Sequence, residues 1–268
     1  MSLLLHFSDT HFGTEQPPVV AALVELATAR QPGALVFSGD ITQRAREAEF
    51  AAARRFCDQL GERPMLVLPG NHDIPLWNLA ARFLDPYAGF SRSFETGLEP
   101  VVETAELLLV GVNTTRRWLH KDGAVSQAQI DRVAGRLSAA KPGQLRIVVT
   151  HQPSEVSRPK DLHDRLRGGE RALQAWSRAG ADLVLGGHIH LPYVIDLHAR
   201  ALATPRRTWC VQAGTALSDR VRHGTRNSVN LIHWDPAAAP RACSVERCDY
   251  DPATGRFETA SRSALALD

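Results

Sequence analysis

A chain of 268 residues, 44% hydrophobic and 22% charged, is long enough to bury a sizeable core and too apolar to be disordered throughout. Its 31 Lys and Arg against 29 Asp and Glu leave a net charge of +2. That balance argues against a nucleic-acid coat or a polybasic membrane binder, where one sign dominates, but leaves a small anionic substrate open.

The opening MSLLLHFSDTH has an apolar run broken by His6 and Asp9 and no basic flank. It reads as a strand over 3–8, not as a signal peptide or membrane span. A helix follows over 17–30, opened by two prolines suited to a first turn. After a strand at 34–38, Thr42 is a candidate cap for a helix over 45–60 that stops at Gly61. A strand at 65–68 precedes a helix over 74–84, and another strand is expected at 107–113. Ser126 and Gln129 have capping-box spacing for a helix over 126–140. The strand at 146–150, the helix at 170–179 and the strand at 183–186 complete this part. Apolar strands alternating with amphipathic helices predict an α/β fold with a largely parallel core sheet. The last quarter differs. Strands at 208–212, 229–233 and 245–249, then a turn at 251–255 and a short strand at 256–258, predict a second, more antiparallel sheet. Residues 237–240 read as loop and the tail from Ala260 as a frayed end. No linker or repeat divides the chain, so 1–268 reads as one domain with a strand-rich part from about 205. Cys57, Cys210, Cys243 and Cys248 give no disulfide framework and read as reduced structural thiols in a cytoplasmic protein.

Five polar clusters directly follow five of the apolar runs: Asp9-Thr10-His11, Gly39-Asp40, Gly70-Asn71-His72-Asp73, His151, and Gly187-His188-Ile189-His190. At the carboxyl ends of parallel strands they would share the edge where α/β sheets bind ligands. Imidazole, carboxylate and amide donors without cysteine suit manganese, iron, cobalt or zinc. Asp-x-His and His-x-His would each put two side chains on one side of an extended backbone. The set is too large for one ion and suits two that share a carboxylate. Singly, each block reads as a turn pair or a buried histidine; together and in order they point to a metal centre.

The order D-x-H, G-D, G-N-H-D, H, G-H-x-H resembles the calcineurin-like dinuclear metallophosphoesterase superfamily over nearly the whole chain, and within it the bacterial class III cyclic-nucleotide phosphodiesterases. The resemblance implies a layered sandwich of two mixed β-sheets flanked by helices. It also implies two divalent ions, with Asp9, His11 and His190 holding the first, Asn71, His151 and His188 the second, and Asp40 bridging both. A metal-bridging hydroxide would attack phosphorus. His72 would face the phosphate, donating a proton to the leaving group or a hydrogen bond to a phosphoryl oxygen. Asp73, grouped with His72 as catalytic, would orient His72 or its loop. Gly39, Gly70 and Gly187 would permit close backbone approach.

The segment 114–123 offers Arg116, Arg117, Trp118, His120 and Lys121 either as substrate-binding cations and an aromatic face or as a solvated basic loop. Residues 152–169 form a long loop beside His151 that reads equally as a lid or as surface. His6, His163, His198, His223 and His233 read as structural, as does His120 taken alone. Arg44, Arg46, Arg54 and Arg55 read as a solvated helix face. The expected substrate is a small phosphodiester, with 3′,5′-cyclic nucleotides as the leading class and no membrane partner. A DNA exonuclease is disfavoured by the even charge, and a lipid-precursor pyrophosphohydrolase by the lack of an apolar cap in the sequence. A protein phosphatase stays open. A non-catalytic scaffold is disfavoured because every ligand position is filled.

Overall fold

Alternate side chains of a strand point to opposite faces, and in this chain that alternation sorts the core into layers. The computed structural model describes residues 2–200 and 202–268. Its elements are β1 (Ser2–Phe7), α1 (Pro17–Arg30), β2 (Ala34–Phe37), α2 (Glu47–Gln59), β3 (Met65–Val67), α3 (Leu79–Leu84), α4 (Ala88–Phe94), β4 (Val101–Glu103) and β5 (Leu107–Gly111). These are followed by α5 (Gln127–Ser138), β6 (Leu145–Val149), α6 (Gly169–Arg178), β7 (Leu183–Gly186), β8 (Tyr193–Asp196), β9 (Trp209–Gln212), β10 (Ser228–Trp234), β11 (Ala242–Asp251) and β12 (Arg256–Ala266).

The first sheet has the order β12-β11-β10-β1-β2-β3 and the second β4-β5-β6-β7-β9-β8. In the first, β1, β2 and β3 are parallel and β10–β12 antiparallel. In the second, β5, β6, β7 and β9 are parallel, with β4 and β8 as antiparallel edges. Leu4, Val36 and Leu66 of the first sheet meet Leu109, Ile147, Leu185 and Val211 of the second in a buried layer between the sheets. Leu5, Phe7, Leu35 and Phe37 turn the other way, onto Leu23 of α1 and Phe56 of α2. Leu108, Val148 and Val184 pack outward onto Ile130 of α5 and Trp176 of α6. Helices therefore flank two packed mixed sheets. Each fully buried Leu, Ile or Phe contributes about 1.5–3 kcal/mol to that arrangement. No helix among the described residues is long and apolar enough to cross a membrane.

Local signals account for most boundaries. Ser126 accepts from the Gln129 amide at 3.2 Å and Gln129 Oε1 accepts from the Ser126 amide at 2.9 Å, closing the expected capping box of α5. All four cysteines are free and buried. Four expectations need correction. The helix expected over 74–84 is a 3₁₀ turn (Asn71–Asp73), an extended Ile74 before Pro75, and two short helices, α3 and α4. Pro75 holds Ile74 out of the helical region, and Asn78 restarts the helix by accepting from the Ala81 amide at 3.0 Å. The late strands do not make a separate sheet, because β10 pairs with β1 and extends the first sheet. The short strand at 256–258 and the tail from Ala260 are instead one strand, β12, paired with β11 along its length. Its polar run on both faces hid an edge strand whose pairing rests on backbone, with Leu265 buried beneath. The edges β4 and β8 were too short to stand out in the sequence.

One buried carboxylate ties α1 to this extended sheet. Glu246 on β11 accepts from Arg30 at 2.7 and 3.1 Å, from His233 Nε2 at 3.0 Å and from Thr259 Oγ1 at 2.5 Å. The Arg30 hydrogen bonds hold its pKa well below the ordinary 4.5. Below that ordinary value the unfolded chain takes up a proton that the folded chain refuses, so this contribution is present above about pH 4.5 and is lost as pH falls. Glu246→Gln should cost about 1–3 kcal/mol at neutral pH. Urea denaturation from pH 7 to pH 3 should show the difference from wild type shrinking in acid; a difference that stays constant would contradict this.

Candidate metal centre

The loops that leave β1, β2, β3, β6 and β7 converge at one end of the sandwich. Backbone bonds lock them together: the Asp9 amide donates to Gly39 O and the His11 amide to Asp40 O, both at 3.0 Å. Asp9, His11, Asp40, His188 and His190 all have positive φ, between 43° and 76°. They are five of the nine non-glycine residues with positive φ among the described residues, each costing of order 1 kcal/mol. That left-handed backbone replaces the extended one expected for the two x-separated pairs. Gly70 is required by crowding, since a Cβ there would overlap the backbone and carboxylate of Asp40.

Two side-chain clusters result. Asp9, His11, Asp40 and His190 form the first, and Asp40, His151 and His188 the second. In the first, His190 Nε2 lies 3.2 Å from Asp9 Oδ1 and 3.1 Å from His11 Nε2. In the second, His151 Nε2 lies 3.3 Å from Asp40 Oδ1 and 3.2 Å from Asn71 Oδ1. Asp40 belongs to both, with Oδ2 3.9 Å from His11 Nε2. His188 and His190 separate, one to each cluster, so His-x-His does not act as one chelating pair.

The donor set fits divalent metal ions. His188 Nδ1 is buried with no hydrogen-bond partner, a cost that a metal would remove. His151 Nδ1 donates to Ser38 O at 2.9 Å and His190 Nδ1 to Arg220 O at 2.5 Å, which makes Nε2 the ring nitrogen that each turns to its cluster. Burial lowers the pKa of His11 to about 3 and, with the His151 charge, that of His188 to about 4, so both are neutral donors. Burial opposes a charge on His151 as well, but Asp40 and Asp9 outweigh it and raise the pKa to about 9. Burial likewise works against Asp9 and Asp40, yet the neighbouring histidines keep both carboxylates ionised, with lowered pKa values. A metal would displace the protons shared by these pairs.

His72 stands beside the first cluster, its ring centroid 4.8 Å from that of His11. Its amide donates to Asp40 Oδ1 at 2.8 Å, while its Nδ1 donates to Gln43 O at 2.9 Å. Its Nε2 accepts from Arg220 Nη1 at 3.2 Å. Asp73 is not placed to touch a substrate. It is buried and accepts from the amides of Gly70, Ile41 and Thr42 and from the Thr42 hydroxyl, at 2.7–3.1 Å. It clamps the Asp40 loop to the Asn71 loop. Burial, then Asp40, raises its pKa to about 6.

Of the residues 114–123 offered for substrate binding, only His120 and Lys121 line the open space. His120 borders a cleft of about 300 Å³ with Gln43, His72, Lys121 and Arg220. A second cleft of about 600 Å³ is lined by Asp40, Asn71, His72, His188 and His190, with Lys121, Arg220 and Arg222 as its cations. Arg116 is bound up in the frame, donating to Asn113 O, Thr115 O and Gln129 Oε1. Arg117 donates to Phe83 O, and Trp118 is solvent-exposed away from both clefts. The 152–169 segment contributes a wall through Asp161, His163 and Asp164. An apolar rim that the sequence reading missed is exposed on and beside α3, at Trp77, Leu79, Phe83 and Leu84. Gln43 and Arg220 were missed too. The signal for Arg220 was the long strandless stretch 213–227 after β9, on the same edge as the other motifs.

The family model for calcineurin-like phosphoesterases matches residues 3–192, which include every candidate ligand. The chain belongs to the calcineurin-like phosphoesterase family. Among proteins similar to this family member is the glycerophosphodiester phosphodiesterase GpdQ of Enterobacter lignolyticus (strain SCF1). It is 37% identical over a stretch covering 26% of this chain and 29% of its own length. The similarity thus spans less than a third of that relative. Two solved structures share the fold across the whole chain. The purple acid phosphatase PPD1 of yellow lupin (Lupinus luteus) gives a TM-score of 0.72 at 11% identity, with 54% of its chain covered. A dimetal phosphatase of Danio rerio gives 0.65 at 10% identity, with 99% covered. Both carry the two mixed sheets flanked by helices onto the family fold described above.

Proposed function

We propose that this chain is a dinuclear metal-dependent phosphodiesterase acting on small substrates. The observation that carries the reading is Asp40, whose two carboxylate oxygens face the two clusters, one each. Asp9, His11 and His190 would hold one ion and Asn71, His151 and His188 the other, with Asp40 available to both; manganese, iron, zinc and cobalt all suit these donors. Bound there, the ions supply positive charge to phosphoryl oxygens and lower the pKa of water to about 7. The protein's own part is to fix that geometry. Gln43 and Arg220 hold His72 as the neutral Nδ1–H tautomer, with its Nε2 lone pair engaged. In that state His72 has no proton for a leaving group; it positions the arginine.

Charge supports a diester. Of three cations lining the larger cleft, Lys121 pairs with Asp164 at 3.1 Å and Arg222 with Asp161 at 2.6 Å. One arginine remains for the substrate, which matches a monoanionic diester better than a dianionic monoester. The partial similarity to a glycerophosphodiester phosphodiesterase supports the same side. We place 3′,5′-cyclic nucleotides first among substrates because a cleft of about 600 Å³ beside the clusters suits a small diester. The test is a screen of manganese-loaded protein against cyclic nucleotides, glycerophosphodiesters, aryl phosphodiesters, phosphomonoesters and single-stranded DNA. Diesters should show the higher kcat/KM. Higher values for monoesters overturn the diester assignment, inert cyclic nucleotides overturn the substrate name, and inactivity on every ester overturns the reading.

A further inference from the structure

We propose that Arg220 is the substrate-binding cation of this site: its guanidinium engages a non-bridging phosphoryl oxygen of the bound ester. The inference rests on the phosphoesterase reading and names the residue that recognises the phosphoryl group.

Three observations carry it. First, Arg220 lies where the reaction would take place. It lines both clefts beside the clusters, and its own carbonyl anchors His190 Nδ1 at 2.5 Å. Second, its guanidinium is held in place by neutral groups only. Nη1 donates to Gln43 Oε1 at 2.9 Å and to His72 Nε2 at 3.2 Å, and is 3.5 Å from His11 Nδ1. Gln43 does both jobs, since its backbone carbonyl sets the His72 tautomer and its side chain sets the arginine. Third, Arg220 forms no ion pair among the described residues, whereas Arg222 and Lys121 in the same cleft are each neutralised by a carboxylate. Its Nε and Nη2 have no protein partner among those residues either.

Physical chemistry then selects the ligand. An arginine anchored through one Nη keeps a planar fork, Nε and Nη2, for two parallel bonds to an oxyanion. A tetrahedral phosphoryl group offers oxygens at matching spacing. A neutral ligand would leave this cation half-buried without a counter-charge. Aligning the charge before the substrate arrives reduces the ordering cost of binding. The Gln43 and His72 contacts provide that alignment.

The test uses the full chain loaded with manganese and inorganic phosphate as the probe. Calorimetry gives the phosphate Kd, and elemental analysis and thermal denaturation run beside it. Arg220→Ala should bind phosphate about 10–100-fold more weakly while keeping its metal content and fold. Arg220→Lys, with charge but no fork, should fall between the two. Arg220→Gln, of similar length and uncharged, carries the same expectation if the alanine variant does not fold. Phosphate affinity within threefold of wild type in the uncharged variants, metal content unchanged, overturns the proposal. So does a lysine variant no better than alanine, which would make the role one of shape. If wild type binds phosphate through Arg220 but hydrolyses no phosphoester, the activity reading fails and the anion site stands. If the uncharged variants keep both hydrolysis and phosphate affinity, only the role of Arg220 fails. A wild-type protein that binds no phosphate overturns both.

Discussion

Asp40→Ala should lower phosphodiesterase activity by more than about 10²-fold and remove the thermal stabilisation that metal confers. Removing residues that merely support a metal ligand typically costs 10–100-fold in affinity or activity. Asp40 does more, because it faces both clusters and accepts the His72 amide at 2.8 Å. Metal at about 100 times its Kd stabilises the native state by about 2.7 kcal/mol, since it binds folded and not unfolded chain. For a chain of this size that is about 5–10 °C in Tm. Wild type should show this shift on adding manganese and the variant little of it, so activity and metal-linked stabilisation should fall together. A variant that keeps the wild-type shift and turnover would show that Asp40 does not join the sites.

His72→Ala should slow hydrolysis by about 10²-fold while both metals are retained, and by the same factor for aryl and ribose leaving groups, because a misplaced arginine costs both alike. Gln43 O can only accept, so His72 Nδ1 carries the proton; Arg220 can only donate, so His72 Nε2 is the lone pair. Such a ring cannot protonate a leaving group. Its loss instead frees the guanidinium from one of its two anchors, which affects the phosphoryl group whatever departs from it. Rates on bis(p-nitrophenyl) phosphate and on a nucleotide diester separate the cases. A small loss on the aryl ester with a large one on the nucleotide would identify a protonated, acid-acting His72 and contradict this account. Loss of a metal ion from the variant would mean that His72, not Asn71, is the ligand.

The sequence made the site more legible than the periphery, for a physical reason. Ligand motifs are local: Asp9, Asp40, Asn71, His151, His188 and His190 each follow a buried apolar strand within a few residues, so finding the strand locates the ligand. The two-faced burial of β1, β2, β5, β6 and β7 is likewise written in near-continuous apolar runs. What failed was long-range or weakly patterned. The pairing of β10 with β1 joins residues over 220 positions apart in the chain, and nothing local encodes it. The edge strand β12 is polar on both faces through its middle and reads as tail. Arg116 was chosen by charge alone, although a guanidinium can as readily cap backbone carbonyls, as it does at Asn113 and Thr115. Arg220 was missed because its role depends on Gln43 and His72, 177 and 148 residues away.

Metal content tests the central claim most directly. Protein freed of metal, reloaded with manganese and desalted should contain two ions per chain by elemental analysis, with hydrolysis of a diester rising in step with occupancy. One ion per chain at full activity, or full activity with none, would contradict a dinuclear centre built around Asp40.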